Sequence, residues 1–568
     1  MYIKLALIKE KKVMKNKFYF FDSEALKYFQ KRIFFSITIF VFVFFIAFYR
    51  ITDIMILSKS SDSKINFEQI IDRGSIYDRN GNLLSSTIKS HSLSVNPNNL
   101  NNFSDKIVLA EKLSTILFKP KDEILNSLNK KNNFVWLKRN ISPKEHQAII
   151  DLGEVALRTE HLSSEEKRRI YPYKNVASHV LGYTDTESYG LAGIERGLDK
   201  KLSNGEDIHL TIDINLQHSV RKELFNTIEK FSADSGIALI IDITNGEILS
   251  MNSIPDFDPN DRKTINQKNT FNRTIEANYE MGSVFKPITV AMGVDKGIID
   301  SNMLFDVTKP IKGIQDFHPF KGSLNIKDCI VKSSNICTAK ISKKIGSKNQ
   351  KAFFNKIGFN KKLEFEILEA ANPLGNKNNW GEIETMTIGF GHGFAITPLH
   401  LVSAYATLIN DGYKIKPTLI RKTFNQTNTK VIKTETSKYI TKLLRSVVIE
   451  TEYTGPRVKV EGYEIGGKTG TAELIDKYGK YQKDKNMTSF VGVFPVSNPK
   501  YAVLAMIENP KKIEEENFSI TGATVAAPLV KNIILRMIEI LGIPKPQQKE
   551  LLKADTTIDY DLVNNATF

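Results

Sequence analysis

Ser283 and Lys286 stand three residues apart in Gly282-Ser283-Val284-Phe285-Lys286-Pro287. On a helix this spacing puts both side chains on one face. A serine hydroxyl is a weak nucleophile until a base takes its proton. Lysine serves as that base only when neutral, and its ordinary pKa is about 10.4. Burial and nearby positive charge lower that value. Lys468, in Lys468-Thr469-Gly470, is the expected positive neighbour. It also offers a fixed charge to a substrate carboxylate. Thr469 adds a hydroxyl donor, and Gly470 lets a substrate backbone come close. Ser333-Ser334-Asn335 supplies the opposite wall, with Ser333 as proton relay and Asn335 as an amide for substrate. Together these residues suit acyl transfer through a serine ester.

The elements that must position them follow from local signals. Proline is tolerated only in the first turn of a helix. A helix through Pro287 therefore starts close to Ser283, which brings the hydroxyl to the positive end of the helix dipole. The Ser283 N–H is then half of an oxyanion hole. Residues 463–473 read as the strand carrying Lys468. Ile237 to Ile241 is a continuous apolar run, followed by the turn Asn245-Gly246 and a second strand. Ser489 to Phe494 and Tyr501 to Ile507 form another hairpin around Pro495 to Lys500. Strands at both ends of this region, with helices between them, predict one antiparallel sheet covered by helices. Further upstream, Val108 to Leu117 and Asp122 to Leu128 have helical spacing, Ile208 to Ile212 alternates like a strand, and Asn215 to Lys230 reads as a long helix.

The chain has 568 residues, a net charge of +16 and 41 % hydrophobic residues, enough for several domains. The charge raises the question of nucleic acid. No helix-turn-helix, zinc spacing or basic-aromatic stripe supports it, so no nucleic-acid partner is expected. Ile33 to Tyr49 is the strong membrane segment. Lys4 to Arg32 before it holds nine Lys/Arg against three acids. The positive-inside rule then puts the N-terminus in the cytoplasm and the bulk of the chain outside. Phe48-Tyr49-Arg50 lacks a small-residue cleavage site, which favours an uncleaved anchor. Cys329 and Cys337 are eight residues apart. On one continuous helix their Cα atoms would lie roughly 12 Å apart, too far for a disulfide; no bridge is expected. Nothing suggests a metal site or a cofactor. Gly389-Phe390-Gly391-His392-Gly393 lacks the Lys-Ser/Thr of a phosphate loop and reads as a packed or substrate-lining loop.

S-x-x-K alone is a weak signal in a lysine-rich chain. The ordered set S-x-x-K, S-x-N, K-T-G is specific, and it resembles that of penicillin-recognising serine acyl transferases. The likeness extends upstream. Residues 73–81 (RGSIYDRNG) and 134–139 (FVWLKR) are similar to segments of class B penicillin-binding proteins, as are 169–172 (RIYP), 179–184 (HVLGYT) and 190–195 (GLAGIE). Tyr279-Glu280-Met281-Gly282-Ser283 stands where that family has Y-E-P-G-S, and Thr397-Pro398-Leu399-His400 where it has T-P-L-Q. The Met281 and His400 departures remove no catalytic atom. Residues 134–139 favour the division-specific branch.

The resemblance implies an α+β multidomain chain. Its expected parts are a basic cytoplasmic segment (1–32), a transmembrane anchor (33–57), a mixed α/β pedestal (58–230), a transpeptidase domain with a central antiparallel sheet (231–545) and a flexible tail (546–568). It implies a peptidoglycan D,D-transpeptidase of the inner membrane. Ser283 would attack the D-Ala-D-Ala amide of one stem peptide, and an amine of another would resolve the ester. Lys286 would activate Ser283, and Ser333 would pass the proton to the leaving amine. Asn335 would hold the donor amide, and Lys468 and Thr469 the terminal carboxylate. The Thr471 N–H would complete the oxyanion hole beside Gly470. β-Lactams would acylate Ser283. A polytopic membrane glycosyltransferase and other division proteins are the implied partners. The competing readings are an elongation-type enzyme, a β-lactamase or carboxypeptidase, a β-lactam sensor and a non-catalytic division scaffold.

Overall fold

The structure is a computed structural model. It describes residues 23–52, 72–100, 102–154, 156–159, 166–375, 380–421, 429–476, 479–514 and 518–545. The expected tail (546–568), residues 1–22 of the expected cytoplasmic segment and residues 53–57 of the expected anchor lie outside these residues. The chain divides into two units, one up to Ile71 and one from Asp72 onward. In the first, helix α1 (Ser23–Thr52) is longer than the apolar run that predicts it. Its stretch Gln30–Thr52 is long and apolar enough to cross a membrane. At 1.5 Å per residue those 23 residues reach about 34 Å, past a hydrocarbon core of about 30 Å. Its phenylalanines between Phe34 and Phe48 are exposed; a helix apolar all round is either a core helix or a membrane span.

The second unit begins with a mixed sheet. Strands β1 (Ile76–Tyr77), β2 (Leu83–Val95), β3 (Val135–Ile141), β4 (Leu157–Arg158), β5 (Glu166–Ile170) and β6 (Ile208–His209) form it. The long β2 pairs with β1, β3, β4 and β5. Helices α2 (Phe103–Leu117), α3 (Lys121–Leu128) and α4 (Pro143–Leu152) pack on its far part around a separate apolar core. Helix α4 starts with a full capping box between Ser142 and Glu145.

The motifs of this region meet in one buried ion cluster. Glu195 is fully buried and accepts from Arg73 Nε at 2.8 Å and Arg169 Nε at 2.8 Å. Ser85 Oγ donates to it at 3.1 Å and Tyr171 OH at 3.3 Å. Three segments far apart in the sequence are thus tied by one carboxylate. Asp78 plays a similar part, accepting from the N–H groups of Asn80, Asn82 and Ile214. That last bond fixes the start of α5 (Ile214–Lys230), which Asp213 caps.

Beyond α5 lies a five-stranded antiparallel sheet. Its strands are β7 (Ser235–Asp242), β8 (Ile248–Ile254), β9 (Gly466–Ile475), β10 (Tyr481–Phe494) and β11 (Tyr501–Glu508), in the order β9-β10-β11-β7-β8. The apolar run in β7 has a simple cause. Ile237, Leu239 and Ile241 face one core, while Ala238 and Ile240 face the other. A strand buried on both sides reads as unbroken hydrophobicity. Helices α6 (Lys286–Asp295), α7 (Ile326–Val331), α8 (Asn335–Ile357), α9 (Pro398–Ile409) and α10 (Thr434–Glu450) cover one face. Helix α5 and α11 (Ala526–Leu541) cover the other. Strand β9 is an edge strand, starting three residues later than the sequence suggests.

Replacing Glu195 by alanine would leave the buried Arg169 guanidinium without its anion and Arg73 with Asp199 alone. The expected loss is about 3–5 kcal/mol, read as a lower denaturant midpoint. An unchanged midpoint would refute the structural role given to the cluster.

Candidate active site

Ser283 sits in a 3₁₀ turn, Gly282–Phe285, that runs straight into α6. In a 3₁₀ turn residues i and i+3 eclipse, so Ser283 and Lys286 lie one above the other more directly than on an α-helix. Pro287 occupies the first turn of α6, as its chemistry requires. The turn is held from outside. Gly282 N donates to Gly391 O at 3.1 Å, and the buried Tyr405 hydroxyl of α9 donates to Val284 O at 2.6 Å. Gly282 has φ +56, and a Cβ there would sit 3.2 Å from Thr471 O on β9. Met281, with φ −81, is buried and keeps the backbone angle a proline would impose. Ser283 itself is half-buried and lies among the first N–H groups of the turn, which have no acceptor within it.

Lys286 is fully buried. Its Nζ donates to Ser333 O at 2.5 Å and to Ser333 Oγ at 3.2 Å. Lys468 Nζ reaches the same Oγ at 3.0 Å and donates to Thr469 O at 3.1 Å. One hydroxyl therefore bridges both lysines. Burial first, and then the charge of Lys468, push the Lys286 ammonium well below its ordinary pKa; the nearby Asp316 carboxylate works in the opposite direction. Burial brings Lys468 down to about 7. The charge expected to be fixed on Lys468 is thus titratable near neutral pH.

Ser333 owes its position to the end of α7. Ser334 N donates to Cys329 O at 3.0 Å and Ser333 N to Ile330 O at 3.3 Å. These two bonds form a Schellman closure with Ser333 in the left-handed position, at φ +58. Glycine usually fills that position; a side chain there costs roughly 1–2 kcal/mol. Helix α8 starts immediately afterwards, with the Ser334 hydroxyl accepting from Cys337 N at 3.0 Å.

This break overturns the expected absence of a disulfide. Cys329 and Cys337 are bonded, with Cα atoms 5.8 Å apart. The roughly 12 Å expectation took the segment as one helix, but the chain reverses at Ser333 and starts a second one. Closing a loop this short stabilises by about 2–3 kcal/mol in the chain-entropy account. The bridge is buried and encloses Ser333-Ser334-Asn335.

Asn335 is the first residue of α8, and its Nδ2 donates to Gln315 O at 3.2 Å. Gly470 differs from its expected use. A Cβ there would meet Ser489 Oγ at 2.4 Å, Val284 Cγ1 at 3.0 Å and Met281 O at 3.1 Å. The glycine lets β9 lie against the nucleophile turn; the space it frees is filled by protein. Lys468 and Gly470 share one face of β9, and Thr469 and Thr471 alternate to the other. The Thr471 hydroxyl accepts from Gly522 N at 3.0 Å. Both threonines remain at the open edge of the sheet.

Sequence reasoning missed three contributors. Asp316 accepts from Ser334 Oγ and from the N–H groups of Asn335 and Ile336. Glu280 accepts from Gly393 N at 2.8 Å and from Tyr481 OH at 2.9 Å. Tyr405 anchors the nucleophile turn. None lies in a motif that points to these contacts, which span 18 or more residues. The disulfide had a readable signal: the string Lys332-Ser333-Ser334-Asn335 is rich in capping residues and marks a helix restart. His392, from the Gly-rich loop, lies near the site within 6.4 Å of the Tyr481 ring. Burial lowers its pKa. His400 is packed in α9 and bonded to Thr397 and Lys361 O. Among the described residues no His/Cys/Asp/Glu group is arranged to hold a metal ion.

Residues 236–535 match the family described as the penicillin binding protein transpeptidase domain, and residues 70–212 the penicillin-binding protein dimerisation domain. The chain is similar to the probable peptidoglycan D,D-transpeptidase FtsI of Caulobacter vibrioides, 32% identical over 492 residues, covering 83% of this chain and 82% of that one. It is similar to the probable peptidoglycan D,D-transpeptidase PenA of Neisseria gonorrhoeae, 29% identical over 524 residues, covering 86% and 88%. The fold matches the crystal structure of penicillin binding protein 3 from Mycobacterium tuberculosis, with TM-score 0.65 and 22% identity over 84% of this chain and 97% of that one.

Ser333→Gly separates fold from chemistry. Glycine relieves the left-handed backbone and removes the bridging hydroxyl. The expected result is an unchanged or higher melting temperature with acylation of Ser283 slowed by about 100-fold or more. Full activity with a lowered melting temperature would contradict this account.

Proposed function

The chain belongs to the class B penicillin-binding proteins, FtsI-like peptidoglycan D,D-transpeptidases, and we propose that it cross-links stem peptides during septal wall synthesis with Ser283 as its nucleophile. The observation that carries this reading is the hydrogen-bonded set Lys286–Ser333–Lys468 beneath the nucleophile turn. A lysine kept neutral by burial and by a second lysine takes the Ser283 proton. The Ser283 Oγ attacks the carbonyl of the penultimate D-Ala. The ester bond forms and the C–N bond to the terminal D-Ala breaks. The proton passes from Lys286 through Ser333 to the leaving amine. An amine of a second stem peptide then attacks the ester, forms the cross-linking amide and restores the hydroxyl. The N–H groups of Ser283 and Thr471 receive the oxyanion. Asn335 holds the donor amide. Lys468 and Thr469 take the terminal carboxylate.

The open edge of β9 supports the substrate-binding half of this reading, because an extended peptide can add to an edge strand. β-Lactams acylate Ser283 as mimics of D-Ala-D-Ala. The apolar α1 fits a single-pass membrane anchor. Its basic flank puts the N-terminus in the cytoplasm and the bulk of the chain in the periplasm, where a disulfide persists. Residues 58–230 act as pedestal and 231–545 as catalytic domain. A membrane glycosyltransferase and other division proteins dock on the pedestal and anchor.

A fluorescent penicillin should label the purified chain at Ser283, identified by peptide mapping, and release slowly. Ser283→Ala should lose labelling by about 10³-fold or more. A folded wild type without an adduct at Ser283, or one that turns penicillin over within seconds, would defeat the proposal. A tagged copy on the side wall rather than at midcell would defeat the septal assignment alone.

The titration of Lys468 gives a second test. Its ammonium is present below pH about 7 and lost above it. The affinity for a D-Ala-D-Ala carboxylate substrate should therefore fall as pH rises through about 7, by up to about tenfold per unit. The C-terminal carboxamide should lack this dependence. Parallel profiles for the two ligands would rule out the carboxylate–Lys468 contact.

A further inference from the structure

Asp316 stands outside all three motifs, yet both oxygens of its carboxylate are engaged by the middle one. Oδ2 accepts from Ser334 Oγ at 2.8 Å. Oδ1 accepts from Asn335 N at 2.5 Å and Ile336 N at 3.0 Å. Ser334 Oγ in turn accepts from Cys337 N. The first three N–H groups of α8 are thus satisfied, two of them by a residue 19 and 20 positions upstream. Ordinary capping needs only the Ser334 side chain.

The approach of Asp316 is itself built. Ile311 and Ile314 exchange backbone hydrogen bonds at 3.0 and 2.9 Å across Lys312-Gly313. Both central residues have positive φ, 48° and 82°, the requirement of a tight two-residue hairpin. Ile314 is buried in a small apolar cluster with Ala339 of α8, Met386 and Phe390. Gln315 O takes the Asn335 amide. The hairpin therefore holds both sides of the Ser334–Asn335 peptide.

We infer that Asp316 is a positioning residue for the acyl transfer: it locks the Ser333–Asn335 turn in place and supplies a negative charge that acts on Lys286. The inference rests on the reading of Ser283 as nucleophile and Lys286 as its base. The groups that act on Lys286 come from three further elements. Lys468 of β9 lowers its pKa and Asp316 raises it. His392, on the loop before Phe394, is itself pushed toward neutrality by burial, and Glu280 and Glu473 act on that ring. Ser333 faces Lys286 with its carbonyl and its hydroxyl, which carry no charge.

Two variants divide the two roles. D316N keeps an oxygen for the N–H groups of Asn335 and Ile336, and the new amide can donate to Ser334 Oγ. D316A removes the clamp as well as the charge. The measurement is the second-order rate of Ser283 labelling by penicillin in the full-length protein, from about pH 5 to 9, beside melting temperatures. Without the Asp316 charge the Lys286 pKa falls, and the neutral base persists to lower pH. At the pH where the wild-type rate has dropped to about one tenth of its plateau, D316N should retain about threefold or more of that fraction. Its plateau should stay within about threefold of wild type, while D316A should fall by about 100-fold. A D316N profile superimposable on wild type, or a D316A plateau within about threefold of it, would overturn the inference. D316N alone keeps the test decisive if D316A does not fold. A wild type that takes no label at Ser283 would instead overturn the reading on which the inference rests.

Discussion

Two buried lysines share one hydroxyl, and the rest of the site follows from that arrangement. Each Nζ hydrogen-bonds Ser333 Oγ, so the two nitrogens lie no more than about 6 Å apart. Two full charges at that distance repel by roughly 3 kcal/mol at an effective dielectric near 20. Desolvation adds to this, since both side chains are fully buried. Both effects disfavour two ammonium groups in the cluster, and they fall unequally on the two lysines. Lys286 feels burial and its neighbour's charge together, whereas Lys468 feels chiefly burial.

That arrangement demands a scaffold that can keep two ammonium-bearing side chains dry. The sheet supplies it by being buried on both faces, with β7 feeding two cores through alternate residues. Lys468 enters from the edge strand, Lys286 from a helix whose first two turns are wholly buried. The glycines at 282 and 470 set how closely strand and turn approach. A Cβ at 282 would come within 3.2 Å of Thr471 O on a left-handed backbone, and one at 470 would meet Ser489 Oγ at 2.4 Å and Val284 Cγ1 at 3.0 Å. The strand that carries Lys468 is also the one at the edge of the sheet.

Much of this was legible in the chain. The apolar run at 237–241, the Asn245-Gly246 turn and the paired runs around Pro495 locate the sheet, because strand burial and turn chemistry are local signals. Pro287 locates the start of the helix for the same reason. What escaped was non-local or depended on one backbone angle. The disulfide was misjudged because a left-handed Ser333 shortens a path that a helix would keep long. Asp316 was invisible because its partners lie across the chain and its own neighbourhood reads as a plain turn. The Arg73–Glu195–Arg169 cluster was represented in the resemblance motifs, but nothing in their spacing revealed that they touch.

Ser333 shows how such a site holds an unfavourable conformation. A non-glycine residue in the left-handed region persists only where its surroundings over-determine it. Here the constraints are countable and independent. A Schellman pair closes α7, the disulfide ties Cys329 to Cys337, Asp316 fixes the start of α8, and Lys286 holds the Ser333 carbonyl. Their combined effect is that the hydroxyl stands between the lysines before any substrate arrives, so the organising free energy is spent in folding rather than at the barrier to reaction. The strained serine and the buried lysines are thus parts of one design in which stability is given up locally and recovered from the two cores that flank the sheet.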